Sequence, residues 1–141
     1  MAVSAVFEGG VTAAEARDAA RVFLESLQAV HGLPVSGRAK GMVLLVVSEL
    51  VTNARKYAPG PCTLTLEATG GVVVIGVADG SSVLPWVPAT DPARVGQHGL
   101  ELVMAVCQAF SVEREPAGKK ISATVELADD PDRNAGGQQA L

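Results

Sequence analysis

The sequence is poor in several residue classes, and each shortage excludes a class of protein. Only 4% of the 141 residues are aromatic, so the core has to be built from Val, Leu, Ala and Ile. Cys62 and Cys107 stand far apart and fit no metal-binding spacing, so we expect reduced thiols rather than a zinc site or a disulfide framework. The longest uninterrupted apolar run, such as 42–47, has six residues and is far too short to cross a membrane.

Positive charge is also scarce. Lys and Arg number 11 against 15 Asp and Glu, for a net charge of −4, and no basic cluster could follow a phosphate backbone, which argues against a nucleic-acid partner. Residues 1–10 include Glu8 and no basic residue, so they do not resemble a secretory signal. We therefore expect a cytoplasmic protein that binds neither nucleic acid nor membranes.

What is present fits one compact domain, with 48% hydrophobic residues and a mean hydropathy of +0.30. Thr12 and Glu15 have the spacing of a capping box, which predicts that a helix begins there. Ser36 can cap a second helix. The β-branched residues of this segment favour a strand, but the segment runs for about twenty residues without a turn signal, far more than the usual strand of about five or six, so we predict a helix. The predicted helices cover residues 12–32, 36–57 and 100–110.

The predicted strands cover residues 2–7, 62–69, 72–78, 111–115 and 120–127. Gly70-Gly71 is a tight-hairpin signal between the second and third of them. Residues 80–95 contain three prolines and are expected to form a functional loop, and 128–141 are expected to be a disordered tail. This order predicts an α+β two-layer sandwich over residues 1–127, with three helices packed on one face of a largely antiparallel mixed sheet.

Two polar side chains interrupt the apolar stripe of the second helix. The stretch SELVTNARKYA places Glu49 and Asn53 four positions apart, which stacks both on one helix face. Asn offers a neutral oxygen of the kind that Mg²⁺ accepts beside phosphates and waters, and a carboxylate one turn away can take a proton from a hydroxyl. For the pair alone, a solvated helix end with a salt bridge from Glu49 to Lys56 is the simpler explanation.

Two further clusters stand at the borders of predicted elements. Asp79-Gly80 ends the most apolar strand, where a carboxylate can accept a hydrogen bond from an exocyclic amine such as that of adenine; ordinary turn chemistry explains the same dipeptide. Gly96 and Gly99 form a turn that opens a helix, and backbone N–H groups there attract phosphate. A single GxxG is a common pattern, and a solvated loop histidine explains His98 between the two glycines.

Taken together, these motifs resemble the histidine-kinase-like ATPase superfamily, whose ATP site is the Bergerat fold. SELVTNARKYA is similar to its N box, VADG to its first glycine box and GQHGLELV to its second. The likeness extends over residues 3–127 and is particularly to the small single-domain branch of anti-sigma-factor serine kinases and their actinobacterial relatives. Gly118-Lys119 is similar to the glycine and lysine in the last hairpin of that branch.

The resemblance implies a role for each motif. Asn53 would be the Mg²⁺ ligand, Glu49 the base that acts on a serine hydroxyl, and Asp79 with Gly80 the adenine anchor. The segment 81–95 would be the lid. The resemblance also implies nucleotide contacts, most of them at the phosphates, from Lys56, Gly96, His98, Gly99 and Leu100.

The chain departs from the family pattern at three places. Ser81 and Ser82 stand in place of the second glycine of the first glycine box. His98 stands where this branch often has glycine. The threonine with which the last hairpin often contacts adenine has no clear counterpart, although Ser122 and Thr124 are nearby.

Two functional hypotheses follow from the resemblance. The first is a Mg-ATP-dependent serine/threonine protein kinase that acts as an anti-sigma factor, phosphorylates an anti-sigma-factor antagonist, otherwise sequesters a sigma factor, and works as a homodimer. The alternative is a non-catalytic module that binds ATP or no nucleotide and regulates transcription by capturing its partner. The complete N box favours the kinase, and the shortened glycine boxes favour the module.

Overall fold

A computed structural model of the chain describes residues 2–8, 11–57, 60–80 and 98–128. The helices are α1 (Ala13–Ala29), α2 (Gly37–Tyr57) and α3 (His98–Val106). The strands are β1 (Ala2–Phe7), β2 (Thr63–Thr69), β3 (Val72–Asp79), β4 (Ala109–Glu115) and β5 (Gly118–Glu126). Gly96, the expected lid 81–95 and all of the expected tail beyond residue 128 lie outside the described residues.

The five strands form one open sheet in the order β1-β2-β3-β5-β4. Helix α2 packs against β3 and β5, and α1 packs against α2 and β2. The predicted α+β sandwich is confirmed. The sheet is antiparallel at all pairings between the described strands rather than mixed, because β5 lies between β3 and β4 and pairs antiparallel with both.

Burial alternates along the two inner strands, so that one face of the sheet meets the helices. In β3 the buried side chains of this face are Val73, Ile75 and Val77, and in β5 they are Ile121, Ala123 and Val125. The opposite face of the sheet carries half-buried side chains, among them those of Thr65, Lys120, Ser122 and Thr124. We call these two faces the helix face and the outer face.

Both predicted helix starts are confirmed. Thr12 and Glu15 form the complete capping box, in which each side chain accepts a hydrogen bond from the backbone N–H of the other, at 3.1 and 2.9 Å. The hydroxyl of Ser36 accepts a hydrogen bond from the backbone N–H of Ala39 at 3.0 Å, at the start of α2. Local chemistry therefore sets where both long helices begin.

The Gly70-Gly71 hairpin is confirmed as well, with φ angles of +58° and +83° that suit a two-residue turn. The prediction for the third helix was wrong in its extent. Helix α3 ends at Val106, and Phe110 lies in β4 opposite Ala123. The chain leaves the helix there because the backbone of Gln108 already pairs with β5.

The third helix was also expected to be mostly buried. Leu100 and Val103 are buried, but Leu102 and Met104 are about half exposed.

Among the described residues, no helix is long and apolar enough to span a bilayer.

Candidate functional site

One end of the sheet brings together the segments that carry the predicted motifs. Asp79 pairs with Lys119, so the end of β3 lies beside the start of β5. Helix α2 ends at Tyr57, only six residues before the start of β2 at Thr63, and β2 starts beside the end of β3, so α2 ends near this end of the sheet. Helix α3 finishes at the opposite end of the sheet. Two residues after its last residue, the N–H of Gln108 donates to the carbonyl oxygen of Thr124 at 2.7 Å, and Thr124 lies near the end of β5. We call the first of these ends the Asp79 end.

Glu49 and Asn53 lie on the flank of α2 that is turned away from α1. On the α1 side, Nη1 of Arg17 donates to Oγ of Ser48 at 3.0 Å. Successive helical residues are rotated by about 100°, which places Glu49 and Asn53 on the other flank. Asn53 is only 8% exposed, and within the described residues its carboxamide makes no side-chain hydrogen bond. A buried amide without a partner calls for an explanation, and a bound metal ion or ligand supplies one.

The simpler explanation of the N box, a salt bridge between Glu49 and Lys56, does not hold. No ion pair joins these two side chains, both of which are in the described part of the chain. Glu49 is half-buried, and Lys56 is exposed on the last turn of α2. The carboxylate of Glu49 is thus placed beside Asn53 without being neutralised by the nearest lysine of its own helix.

Asp79 forms a buried ion pair that was not predicted. Nζ of Lys119 lies 3.0 Å from Oδ1 of Asp79, and the two side chains are 3% and 2% exposed. Both residues continue the helix-face rows of their strands, Asp79 after Val77 and Lys119 before Ile121. The alternation of buried residues along β5 would have predicted that Lys119 points to the helix face if the strand had been predicted from Gly118 rather than from residue 120.

Gly118 brings the two strand ends together. A Cβ built on it would lie 1.9 Å from the carbonyl oxygen of Asp79 and 2.8 Å from the carbonyl carbon of Gly80. No side chain fits in that space. The first residue of β5 therefore lies against the Asp79-Gly80 backbone, and the side chain of the next residue, Lys119, reaches the carboxylate of Asp79.

Cys62 connects the end of α2 to the strand ends. Burial raises the pKa of its thiol, the nearby Arg55 on α2 lowers it, and the Asp79 carboxylate raises it further. The two charges that act on this thiol belong to the last turn of α2 and to the end of β3. The sequence alone identifies Cys62 only as a core thiol.

The second glycine box is only partly described. His98 and Gly99 form the first turn of α3, where main-chain N–H groups lack intrahelical partners. Leu100 is 2% exposed, so its side chain belongs to the core and only its backbone is a candidate for nucleotide contact. Helix α3 packs against α2. Val106, the last residue of α3, lines a cavity of about 230 Å³ together with Met42 near the start of α2. The end of α3 therefore lies beside the first half of α2, and the start of α3 lies towards the half that carries Asn53.

The last hairpin presents different residues from those considered in the sequence. Ser122 and Thr124 lie on the outer face, because they alternate with the buried Ile121, Ala123 and Val125. Neither reaches the helix face. Lys119 is the β5 side chain that meets Asp79.

No family model and no curated protein matches the chain. Solved structures do match, among them the histidine kinase domain from the Erythrobacter litoralis EL346 blue-light activated histidine kinase. The chain is 16% identical to it with a TM-score of 0.49, and the match covers 79% of this chain and 61% of that one, less than two thirds of its length. A likeness of this degree identifies neither the substrate nor the partners of this protein.

Proposed function

We propose that this protein binds Mg-ATP at the Asp79 end and is a serine/threonine protein kinase acting as an anti-sigma factor. One observation carries the proposal: the buried Asn53 carboxamide has no side-chain partner among the described residues and lies one turn from Glu49. The resemblance of the N box and the glycine boxes to histidine-kinase-like ATPases supports it. The substrates would be ATP and a serine of an anti-sigma-factor antagonist. A sigma factor would be the second partner of a cytoplasmic homodimer.

The base of ATP would be held by Asp79, whose carboxylate accepts a hydrogen bond from the exocyclic amine. Gly80 is exposed beside it and lets the base approach the backbone. The phosphates would face the first turn of α3, where the N–H groups of His98, Gly99 and Leu100 attract anions. Lys56 would add positive charge from the last turn of α2.

The residues at this end fit a magnesium ion. Mg²⁺ commonly takes one or two protein oxygens and completes its octahedron with phosphates and water, so Asn53 Oδ1 is a sufficient protein ligand. The described residues contain no group of three or more His, Cys, Asp or Glu that would form an all-protein metal cage. When bound, the ion would neutralise charge on the phosphates during transfer.

Glu49 would accept the proton of the attacking serine hydroxyl. As the serine oxygen forms its bond to the γ-phosphorus, the bond from that phosphorus to the β–γ bridging oxygen breaks and ADP leaves. Glu49 is half-buried and lies one turn of α2 from Asn53, which supports its role as the base. This step explains why a carboxylate would be kept at the edge of an apolar helix.

Calorimetric titration with ATP, with and without Mg²⁺, tests the binding. Asn53→Ala should remove the effect of Mg²⁺ and weaken Mg-ATP binding by about tenfold or more. Asn53→Asp retains an oxygen ligand and should retain the effect of Mg²⁺. If the unaltered protein releases no heat with ATP at high protein concentration, the proposal fails.

Phosphotransfer is tested separately, on proteins captured from the native host and incubated with γ-labelled ATP. Glu49→Gln should still bind Mg-ATP but lose the transfer of label to serine. Light scattering measures the expected homodimer in the same preparations. A strictly monomeric species would contradict close kinship with the anti-sigma-factor kinases.

One observation favours the non-catalytic alternative. The carboxylate proposed to anchor adenine is already engaged by Lys119, which neutralises its charge. A module that captures its partner without transferring phosphate would tolerate this arrangement. It would show partner binding that is identical in the unaltered protein and in Glu49→Gln, and no labelled product from either.

A further inference from the structure

The ammonium group of Lys119 is buried but only partly satisfied. Its side chain is 3% exposed, and Oδ1 of Asp79 is its hydrogen-bond partner. A lysine ammonium has three N–H donors, and within the described residues no second acceptor meets the other two. Buried donors without acceptors are costly, so such groups are normally met by water or by a ligand.

A purely structural role does not account for this arrangement. The backbone pairing of β3 with β5 already holds the two strands together and aligns Asp79 with Lys119 without any side-chain bond, and Gly118 leaves room for the strand ends to lie close. One hydrogen bond to Asp79 would secure the hairpin further, but it leaves the remaining donors of Lys119 unused. They lie beside the carboxylate that is proposed to hold the base.

We propose that Lys119 is a base-reading residue: its ammonium donates a hydrogen bond to ring nitrogen N1 of adenine while Asp79 accepts from the neighbouring 6-amino group. The inference rests on the proposed binding of ATP. A carboxylate and an ammonium side by side form an acceptor and a donor, and the N6/N1 edge of adenine presents the matching donor and acceptor. A 6-oxopurine in the same pose would turn its carbonyl oxygen to Asp79 and its N1–H to Lys119, so both contacts would be mismatched.

The test compares ATP with 1-deaza-ATP, in which a C–H group replaces N1 and the 6-amino group is kept. Both are titrated calorimetrically into the unaltered protein and into Lys119→Met. The unaltered protein should bind 1-deaza-ATP about 10- to 100-fold more weakly than ATP, which is the usual effect of losing a hydrogen bond to a charged group. Lys119→Met should bind the two nucleotides equally, because it has no donor for N1.

Lys120 offers a matched control. It is the next residue of β5 but belongs to the outer face, where its side chain covers Gly76: a Cβ there would lie 2.6 Å from Lys120 Cε. Lys120→Met removes the same charge and should keep the full preference for ATP. Lys119→Arg retains donors and should keep part of it.

Removal of Lys119 leaves the Asp79 carboxylate without its cation, which can impair folding. Circular dichroism and thermal melts check each variant. If Lys119→Met does not fold, the double variant Asp79→Asn with Lys119→Met, which leaves no unpaired charge, replaces it. That variant should also show no preference between the two nucleotides at N1.

The outcomes separate this inference from the proposed function. If Lys119→Met keeps the preference for ATP over 1-deaza-ATP, or binds ATP more tightly than the unaltered protein does, Lys119 does not read N1 and the inference is overturned while ATP binding stands. If Lys119 had only a structural role, Lys119→Met would weaken the binding of ATP and of 1-deaza-ATP by the same factor, and that result would also overturn the inference. If the unaltered protein binds neither nucleotide, the proposed function and this inference fail together.

Discussion

Replacing Gly118 by alanine tests whether the contact between two strand ends builds the Asp79 end. The added Cβ would lie 1.9 Å from the carbonyl oxygen of Asp79, and protein Cβ atoms essentially never approach other atoms within 3.0 Å. The start of β5 would therefore have to move by about 1.1 Å relative to β3. A shift of that size would stretch the 3.0 Å bond between Lys119 and Asp79 beyond hydrogen-bonding distance.

The size of the effect follows from these two contributions. Overpacking costs about 1–3 kcal/mol. Loosening a buried hydrogen bond between charged groups adds about 1.5–3 kcal/mol. We expect the free energy of unfolding to fall by about 3–5 kcal/mol, which at a urea dependence of about 2 kcal/mol per molar moves the midpoint down by about 1.5–2.5 M.

Urea unfolding followed by far-UV circular dichroism measures this change. Gly41→Ala is the matched control, because Gly41 is exposed on α2 and a Cβ there meets nothing within 4 Å. That variant should be more stable by about 0.5–1 kcal/mol, the usual gain of alanine over glycine inside a helix. If Gly118→Ala unfolds within about 0.5 kcal/mol of the unaltered protein, the close approach of β5 to the Asp79-Gly80 backbone is refuted.

Two further predictions concern the capping box and the buried thiol. Thr12→Ala should lower the free energy of unfolding by about 1 kcal/mol in urea titrations at neutral pH. The pKa of Glu15 lies below its usual 4.5, chiefly because its carboxylate accepts a hydrogen bond from the backbone N–H of Thr12 and in smaller part because of the Thr12 side chain. Stabilisation from this carboxylate is present above that pH and is lost as the pH falls through the lowered pKa. Since Thr12→Ala removes only the side-chain part, its cost should shrink slightly over that range, and a cost that grows as the pH falls would contradict this account. Burial raises the pKa of both thiols above 9.0, but Cys62 is buried whereas Cys107 is half-buried, so a thiol reagent at pH 8 should reach and label Cys62 more slowly than Cys107. Because the pKa of Cys62 is higher in the folded protein than in the unfolded chain, the free energy of unfolding should fall as the pH rises from 9.0 towards the raised pKa. This fall should be smaller in Cys62→Ala.

Local chemistry was readable in the chain. Thr12 with Glu15 and Ser36 mark helix starts because a capping side chain bonds a backbone N–H only three residues away. Gly70-Gly71 marks a hairpin because both residues adopt positive φ angles that other residues rarely take. The order of elements then predicted three helices on one face of a largely antiparallel mixed sheet, and only the mixed part of that prediction was wrong.

Predictions weakened where distant segments compete for the same residues. Phe110 continues the helical spacing of α3, yet it lies in β4, because pairing with β5 outweighs helix propensity there. The N box was recognised as polar residues on a core helix, but sequence reasoning alone preferred a salt bridge from Glu49 to Lys56. That bond is absent, and Asn53 is buried without a side-chain partner in the described part of the chain.

The sequence by itself determined where α1 and α2 start, where the β2–β3 hairpin turns and which helix carries the acid and the amide. These features depend on neighbours within a few positions, so short-range hydrogen bonds and periodicity define them. Only the tertiary structure decided that Lys119 meets Asp79, 40 residues earlier, in a buried pair. That contact depends on the register between β3 and β5. No local pattern encodes this register, because it is set by core packing and by the close approach of the two backbones at Gly118.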